Sequence, residues 1–316
     1  MISIILGLLI GFALLIWSAD RFVIGAVGLA KNFNLSPLVI GVIIIGFGTS
    51  APELLISGVS AWQGNSGLAI GNAVGSNITN IALILGVTAF LTPILVARQT
   101  LRREFPILFF SMGLAWWLLR DFILSLWDAI ILLTTLILVI GYLVSTSKPE
   151  TAEQDDEISN SNLGISMFWT VSGLALLLVS SNILVSACVK LAQLFGISDL
   201  LIGLTIVAIG TSLPELAASV TGALKHHTDL AIGNVLGSNV FNTLGVISIP
   251  GFFHAYEIPS EVLTRDFPIM FGITLFLLGL AFFTHKGRGM YRVSGSLLLL
   301  SFIGFQVLLY IQNIPS

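Results

Sequence analysis

Two glutamates stand inside apolar sequence, each within the same ten-residue motif. The first copy runs from Gly46 to Leu55 and reads GFGTSAPELL, and the second runs from Ala208 to Ala217 and reads AIGTSLPELA. An ionisable side chain at membrane depth is costly and usually serves a function. Two of them in matching places, Glu53 and Glu215, predict one shared site at the interface of two related halves.

Each glutamate is accompanied by other oxygen atoms that can bind a cation. Pro52 and Pro214 lack an N–H and clash with the carbonyl one turn back, so each should break its helix. The carbonyls freed near Thr49 and Thr211 need a partner in an apolar environment, and a bound cation is one. Carboxylate, hydroxyl and carbonyl oxygens are hard ligands of the kind that Ca2+ and Na+ prefer.

A second duplicated motif follows each glutamate. It reads GNAVGSNITN from Gly71 to Asn80 and GNVLGSNVFN from Gly233 to Asn242. Spacing of four residues places its polar side chains on one helix face. We expect this face to line the site through four residues, namely Ser76, Asn80, Ser238 and Asn242. For Asn72, Asn234, Asn77 and Asn239, a role in holding helices together is equally compatible with the pattern.

The duplication covers most of the chain. The offset is 162 residues between Glu53 and Glu215 and again between Gly71 and Gly233. Arg103 and Arg265, each followed by an acid and Phe-Pro, share it too. A constant offset indicates two copies of one unit, which is a pattern found in many transporters.

Composition identifies the class of protein. Hydrophobic residues make up 56% of the chain and charged residues 9%, with a mean hydropathy of +1.02, whereas soluble domains carry about 25% charged residues. A net charge of −3 without a basic stripe argues against nucleic-acid binding. We therefore expect an integral membrane protein.

Apolar segments long enough to cross a bilayer predict an all-α membrane protein with ten transmembrane helices. They lie near 2–19, 37–61, 67–92, 104–119, 123–145, 164–187, 199–223, 229–252, 266–284 and 291–312. The predicted domains are a first five-helix repeat (1–145), an acidic linker (146–163) and a second five-helix repeat (164–316). Because five is odd, the second repeat enters the membrane from the opposite side, so the repeats are inverted.

The distribution of Lys and Arg predicts the orientation. With both termini outside, ten of these residues fall in inner loops and three in outer loops, which agrees with the positive-inside rule. The linker is then cytoplasmic, and we expect the chain to reside in the cell (cytoplasmic) membrane. Asp20 is interpreted as the start of a loop after the first span.

The paired GTSxPE and GNxxGSN motifs resemble the two alpha repeats of the sodium/calcium exchanger family, within the cation/calcium antiporter superfamily. The resemblance covers nearly the whole chain and is similar to the compact prokaryotic members. It implies that Glu53 and Glu215 are the central Ca2+ ligands, joined by the backbone carbonyls of Thr49 and Thr211. It implies sodium sites formed by Ser50, Ser76, Ser212 and Ser238 with the carbonyls of Gly46 and Ala208.

One position departs from some members of that family. Asn80 and Asn242 occupy a paired position at which certain relatives carry Asp in the second half. Asparagine at both places leaves two central carboxylates rather than three, and the resemblance then argues against potassium dependence.

These observations predict an antiporter that exchanges Na+ for Ca2+ by alternating access. Ca2+ and Na+ would be its substrates and the bilayer its environment, with no cofactor, enzymatic activity or obligate protein partner. Two alternatives remain open: a proton-coupled antiporter for Ca2+ or another cation on the same scaffold, since buried carboxylates can bind protons, and a passive cation channel.

Overall fold

Helices account for nearly all of the fold. The computed structural model describes residues 2–63, 66–147, 162–195, 208–284 and 289–312. In chain order the helices are α1 (Ile2–Asn32), α2 (Pro37–Thr49), α3 (Ala51–Trp62), α4 (Gly67–Leu91), α5 (Arg98–Arg102), α6 (Glu104–Leu118), α7 (Leu126–Ser145), α8 (Leu163–Leu194), α9 (Ala208–Thr211), α10 (Leu213–Leu224), α11 (Thr228–Phe252), α12 (Val262–Phe283) and α13 (Arg292–Gln312). Two short strands, β1 (Ile123–Leu124) and β2 (Tyr256–Glu257), pair antiparallel.

Most of the spans lie close to those predicted from hydropathy. Within the described ranges, seven helices are long and apolar enough to cross a membrane, and the bent pair α2–α3 forms an eighth span. The predicted segment near 104–119 is the 15-residue helix α6. The predicted segment 199–223 is described only from Ala208 onward, as α9 and α10. The predicted fold class, an all-α membrane protein of two inverted five-helix repeats, is confirmed.

The corresponding helices α1 and α8 pack antiparallel, which makes the inversion of the repeats visible. Gly11 lies against Leu184, and Gly173 lies against Phe22, at positions that correspond by the offset of 162. Between these two contacts Ser18 Oγ and Ser180 Oγ are 3.5 Å apart. Glycine at these places allows the backbones to approach closely.

The helices of the first and sixth predicted spans are longer than expected, and the expectation that Asp20 starts a loop was wrong. The helices α1 and α8 extend to Asn32 and Leu194, well beyond the predicted ends at residues 19 and 187. Asp20 therefore lies inside α1 rather than at the start of a loop. A helix of 31 residues is about 46 Å long, more than a bilayer core requires. Within this helix Asp20 pairs with Lys225 of α10.

The helices α4 and α11 form the centre of the molecule. The apolar stretch of α11 is entirely buried, whereas only 22% of the apolar stretch of the peripheral helix α1 is buried. Outward-facing apolar side chains such as Phe110, Leu138 and Phe283 are exposed, as expected for a surface in contact with lipid. The duplicated motifs thus lie on the most enclosed elements of the fold.

The first glutamate motif interrupts its span, as predicted from the presence of Pro52. The helices α2 and α3 meet at an angle of 44°, with Ser50 outside helical geometry between them and Pro52 in the first turn of α3. Proline is well tolerated there because the first helical N–H groups have no intrahelical acceptor. The glutamate consequently lies at the N-terminal end of a half-helix.

The linker prediction cannot be compared with the fold. Helix α7 ends at Ser145 and α8 begins at Leu163, but residues 148–161 lie outside the described part of the chain. The linker and the domain boundaries on either side of it remain predictions.

Candidate cation site between the two halves

The two glutamates occupy equivalent places at the start of α3 and α10. Each follows Pro in the first turn of its half-helix, and both Glu53 and Glu215 have no exposed surface. A helix N-terminus carries a partial positive charge that favours a carboxylate at this position. The local sequence therefore places two carboxylates in the interior of the molecule.

Each carboxylate is held by one serine and leaves one oxygen unoccupied. Ser76 Oγ donates to Glu53 Oε1 at 3.3 Å, and Ser50 Oγ donates to Glu215 Oε1 at 3.5 Å. The two Oε2 atoms are buried and have no hydrogen-bond partner among the described residues. Because an unpartnered buried oxygen is costly, these atoms are the natural contacts for a bound cation.

Contacts across the repeats bring the two motifs together. Ser50 of the first half contacts Glu215 of the second. Ser238 Oγ of the second half donates to the carbonyl of Gly46 at 3.3 Å. Thr49 is fully buried, and its Oγ1 donates to the carbonyl of Ile45 at 2.9 Å. The structure thus places these proposed ligands at the interface of the halves.

The polar stripe on α4 and α11 borders the same region. Asn80 Nδ2 donates to Asn239 Oδ1 at 3.0 Å, whereas Asn80 Oδ1 has no partner in the described ranges. Asn242 is fully buried, and neither atom of its amide has a hydrogen-bond partner among described residues. The two asparagines therefore bring further unused amide atoms to the interior.

Asn80 and Asn242 also begin π-helical turns, at Asn80–Ile84 and Asn242–Val246. Such turns insert one extra residue per turn and occur frequently at functional sites. They were not predicted from the sequence, because a π-turn has no simple residue pattern. The two turns recur at the offset of 162, each at the last asparagine of its duplicated motif.

The second copy of the glutamate motif lies on α9 and the start of α10. Ser212 is buried and its Oγ has no partner in the described part of the chain, while Thr211 is half-buried. Ala208 begins α9. The carbonyl of Gly210 accepts a hydrogen bond from Ser181 Oγ at 3.1 Å. Ala208, Gly210 and Thr211 lie on the short helix α9, and Ser212 joins it to α10, as the repeat predicts.

The sequence left open whether Asn234 lines the site or holds helices together, and its contacts show the second. Asn234 Nδ2 donates to the carbonyl of Glu215 at 3.2 Å and to Ser219 Oγ at 2.8 Å. Thr49 Oγ1 lies 3.2 Å from Asn234 Oδ1. This amide is therefore occupied in joining α2, α10 and α11. Ser219 was not predicted, although its position one turn after Glu215 was a signal.

Asn77 and Asn239 join the halves in the same manner. Asn239 Nδ2 donates to the carbonyl of Asn77 at 3.2 Å, and Asn77 Nδ2 donates to Thr243 Oγ1 at 2.8 Å. Buried side-chain amides with these partners fix the distance between α4 and α11.

The resulting donor set consists of oxygens with two carboxylates. Within the described ranges, no three residues among His, Cys, Asp and Glu come together. Two carboxylates surrounded by hydroxyl, amide and carbonyl oxygens suit a hard cation, and two negative charges balance one divalent ion.

Known proteins resemble this chain along its whole length. The candidate antiporter CaxA of Alkalimonas amylolytica is 46% identical, covering 96% of this chain and 97% of that protein. The sodium/calcium exchanger MaX1 of Methanosarcina acetivorans is 30% identical, covering 96% of this chain and 97% of its own length. A structure of the sodium-calcium exchanger NCX_Mj, soaked without Na+ and Ca2+, superposes with a TM-score of 0.83 at 30% identity, covering 98% of this chain and 99% of that one.

The family model described as sodium/calcium exchanger protein matches residues 3–145 and 165–311. Both copies of each motif lie within the matched residues, and the fold agrees with that of a solved member. The family consists of exchangers rather than enzymes. This chain therefore belongs to the sodium/calcium exchanger family.

Proposed function

We propose that this protein exchanges Na+ for Ca2+ across a membrane by alternating access. Membership of the family supports cation/Ca2+ antiport. The choice of Na+ as the coupling ion and of the two glutamates as ligands is our proposal. It requires no resident cofactor and no obligate protein partner.

The observation that carries the proposal is the pair of fully buried glutamates, each with one carboxylate oxygen that has no partner among the residues that the structure describes. Two unpaired charges in a protein interior are very costly unless a counter-ion accompanies them. Glu53 and Glu215 would bind Ca2+ with the carbonyls of Thr49 and Thr211. Asn80 and Asn242 would complete the site with neutral oxygens.

Sodium would bind in the same cluster. Its ligands would be the hydroxyls of the serines and the carbonyls of residues 46 and 208, the serines being Ser50, Ser76, Ser212 and Ser238. Na+ and Ca2+ then share the same two carboxylates and cannot both be held at full occupancy. If only a fully loaded site changes its access, release of one ion on one side is coupled to binding of the other.

The orientation follows from the charge distribution. We propose that both termini and the Gln63 end of α3 face outward, that the Lys225 end of α10 faces the cytoplasm, and that the protein resides in the cell membrane. The inner loops then carry the excess of Lys and Arg.

A flux measurement distinguishes the proposal from its alternatives. Purified protein is reconstituted into liposomes loaded with Na+, which are diluted into Na+-free buffer containing radioactive Ca2+. We expect Ca2+ uptake that requires internal Na+ and disappears when internal Na+ is replaced by choline. Parallel vesicles carry a pH gradient without Na+.

The other outcomes identify the other functions. Uptake driven by the pH gradient alone would establish proton coupling. Uptake that needs no counter-ion gradient would indicate a channel. Either result would overturn Na+-coupled exchange.

A further inference from the structure

The first helix is fastened to the Glu215 half of the molecule by an ion pair. Lys225 Nζ, at the end of α10, lies 2.9 Å from Asp20 Oδ1 in α1. Both side chains are partly exposed, at 28% and 29%. Helix α1 also packs along α10, with Ala218 buried in a cluster that includes Phe22 and Ala26. This end of the glutamate-bearing half-helix is therefore covered.

Charged and aromatic side chains also connect this end of α1 to α8. Arg21 Nε lies 3.4 Å from Asp20 Oδ2, and the Arg21 guanidinium stands 5.3 Å from the ring centre of Trp169. Trp169 in turn packs edge-to-face against Trp17. Charge and aromatic contacts thus join α1, α8 and α10 at one end of the helix pair.

The equivalent place in the other repeat has none of these groups. At the offset of 162, Asp20 corresponds to Asn182, Lys225 to Gln63, and Trp169 to Gly7. The neutral pair cannot form an ion pair. A cavity of about 500 Å3 lies there between the start of α1 and the end of α8, lined in part by Gly7, Asn182 and Ile183.

The packing of the helices also differs between the two repeats. Helices α8 and α3 are the repeat equivalents of α1 and α10, yet they make almost no contact. The α1–α8 pair is therefore held differently by the two repeats. It packs against α10 but is separated from the equivalent helix α3. In an alternating-access carrier, such an arrangement is one of two states related by the internal symmetry.

We propose that Asp20 and Lys225 are positioning residues that hold α1 over α10 and shift the balance of the carrier toward the state closed at the Lys225 end. This inference rests on the proposed alternating-access function. A partly exposed ion pair contributes little to overall stability. A pair present in only one of two states, however, changes their ratio directly.

The test compares the two faces of the carrier. The variants Asp20→Asn and Lys225→Gln are made singly and together, and Ca2+ KM is measured separately at each face in vesicles sorted by orientation. A state that becomes more populated binds its ligand with higher apparent affinity. We expect each single variant to lower KM at the Lys225 face and to raise it at the Gln63 face, by about threefold to tenfold.

Three comparisons separate positioning from a general structural role. The double variant should shift KM no further than either single variant, because the pair is already broken. The exchanged pair Asp20→Lys with Lys225→Asp should restore the wild-type ratio. The control Asp266→Asn removes an ion pair to Arg265 that lies away from α1, and it should leave the ratio unchanged. Equal KM changes at both faces, or additive single variants, would overturn the proposal.

A second pair of substitutions tests the idea without weakening the existing contact. Asn182→Asp with Gln63→Lys places the same charges at the opposite end, where they would favour the state closed at the Gln63 end. We expect KM to fall at the Lys225 face and rise at the Gln63 face, the same direction of shift as in Asp20→Asn. An unchanged ratio in this variant would contradict the proposal.

Hydrogen exchange provides a readout that does not require transport. Asp20→Asn should increase amide exchange near residue 225 and around residue 20, without an increase at the α3 end near residue 63. If no variant, including the wild type, exchanges Ca2+ for Na+, the proposed function fails while this measurement still tests the ion pair. Uniform or absent changes would overturn its positioning role.

Discussion

At the scale of single residues, the serines determine how the central carboxylates are presented. Ser50 donates to Glu215 across the repeat interface, and Ser76 donates to Glu53 within its own repeat. In both cases one carboxylate oxygen is engaged, and the other has no partner within the described part of the chain. A cation that enters this cluster meets oriented ligands, so little reorganisation is needed on binding.

Removing the Ser50 hydroxyl should weaken ion binding without unfolding the protein. Ser50→Ala eliminates the bond to Glu215 and one proposed Na+ ligand. A hydrogen bond to a charged group contributes about 1.5–3 kcal/mol, so we expect the apparent Na+ affinity to fall by about tenfold or more. Exchange measured against Na+ concentration checks this. The matched change Ser60→Ala, in the last turn of α3, should have no such effect. Equal behaviour of the two variants would contradict the assignment.

Asn239 should matter for stability, because it connects α4 and α11. Its amide accepts from Asn80 and donates to the carbonyl of Asn77. Asn239→Ala leaves these buried groups without partners, at a cost of about 1–3 kcal/mol each. We expect a clearly lower melting temperature in detergent, while the exposed control Gln63→Ala leaves it unchanged. An unaltered melting temperature for Asn239→Ala would show that these bonds do not hold the halves together.

At the scale of the elements, close helix crossings depend on glycine. A Cβ atom at Gly173 would lie 2.7 Å from the backbone N of Phe22, too close for α1 and α8 to keep their positions. At Gly141, by contrast, a Cβ atom would meet nothing within 4 Å. The two positions form a matched pair for a test.

Gly173→Ala should reduce both the melting temperature and the exchange rate, because α8 must move away from α1. Overpacking of this kind typically costs about 1–3 kcal/mol. Gly141→Ala should be neutral or slightly stabilising, since alanine favours a helix by up to about 1 kcal/mol over glycine. Thermal melting monitored by circular dichroism compares them, and similar losses in both variants would refute the packing argument.

The sequence predicted the spans well where hydropathy changes sharply. The helix α7, for example, ends at residue 145 as expected, and the break near Pro52 followed from proline chemistry. The full length of α1 could not be predicted, because its charged residues are accommodated by Lys225 and Trp169, which are remote in sequence. The π-turns at Asn80 and Asn242 likewise depend on tertiary packing.

In the candidate site, too, some features could be predicted from the sequence and others depend on tertiary packing. Duplication identified the two glutamates and their serines, and the structure brings Ser50 to Glu215 and Ser76 to Glu53. Partners between the halves, such as Asn234 with Thr49, depend on how the repeats dock, which no local pattern encodes. Their roles as ligands remain a proposal.

At the scale of the whole molecule, inversion of the repeats requires both chain ends to lie on one side of the membrane and the linker to lie on the other. In a Cys188→Ser background, Ser3→Cys should react with an impermeant maleimide added outside cells. Ser147→Cys, next to the linker, should react only after the membrane is opened. The positive-inside distribution of Lys and Arg is the reason for this expectation, and the reverse pattern would invert the proposed orientation.

The central claim is that one cluster, built on Glu53 and Glu215, binds either Ca2+ or Na+. Its most direct test is Ca2+ binding to the purified protein by isothermal titration, with and without Na+, for the wild type, Glu53→Gln, Glu215→Gln and the exposed control Glu261→Gln. Loss of one buried charge partner costs about 3–5 kcal/mol, so both site variants should bind Ca2+ at least about 100-fold more weakly, while the control binds normally. Excess Na+ should weaken wild-type Ca2+ binding by competition. Unchanged binding in either glutamate variant, or binding indifferent to Na+, would contradict the account.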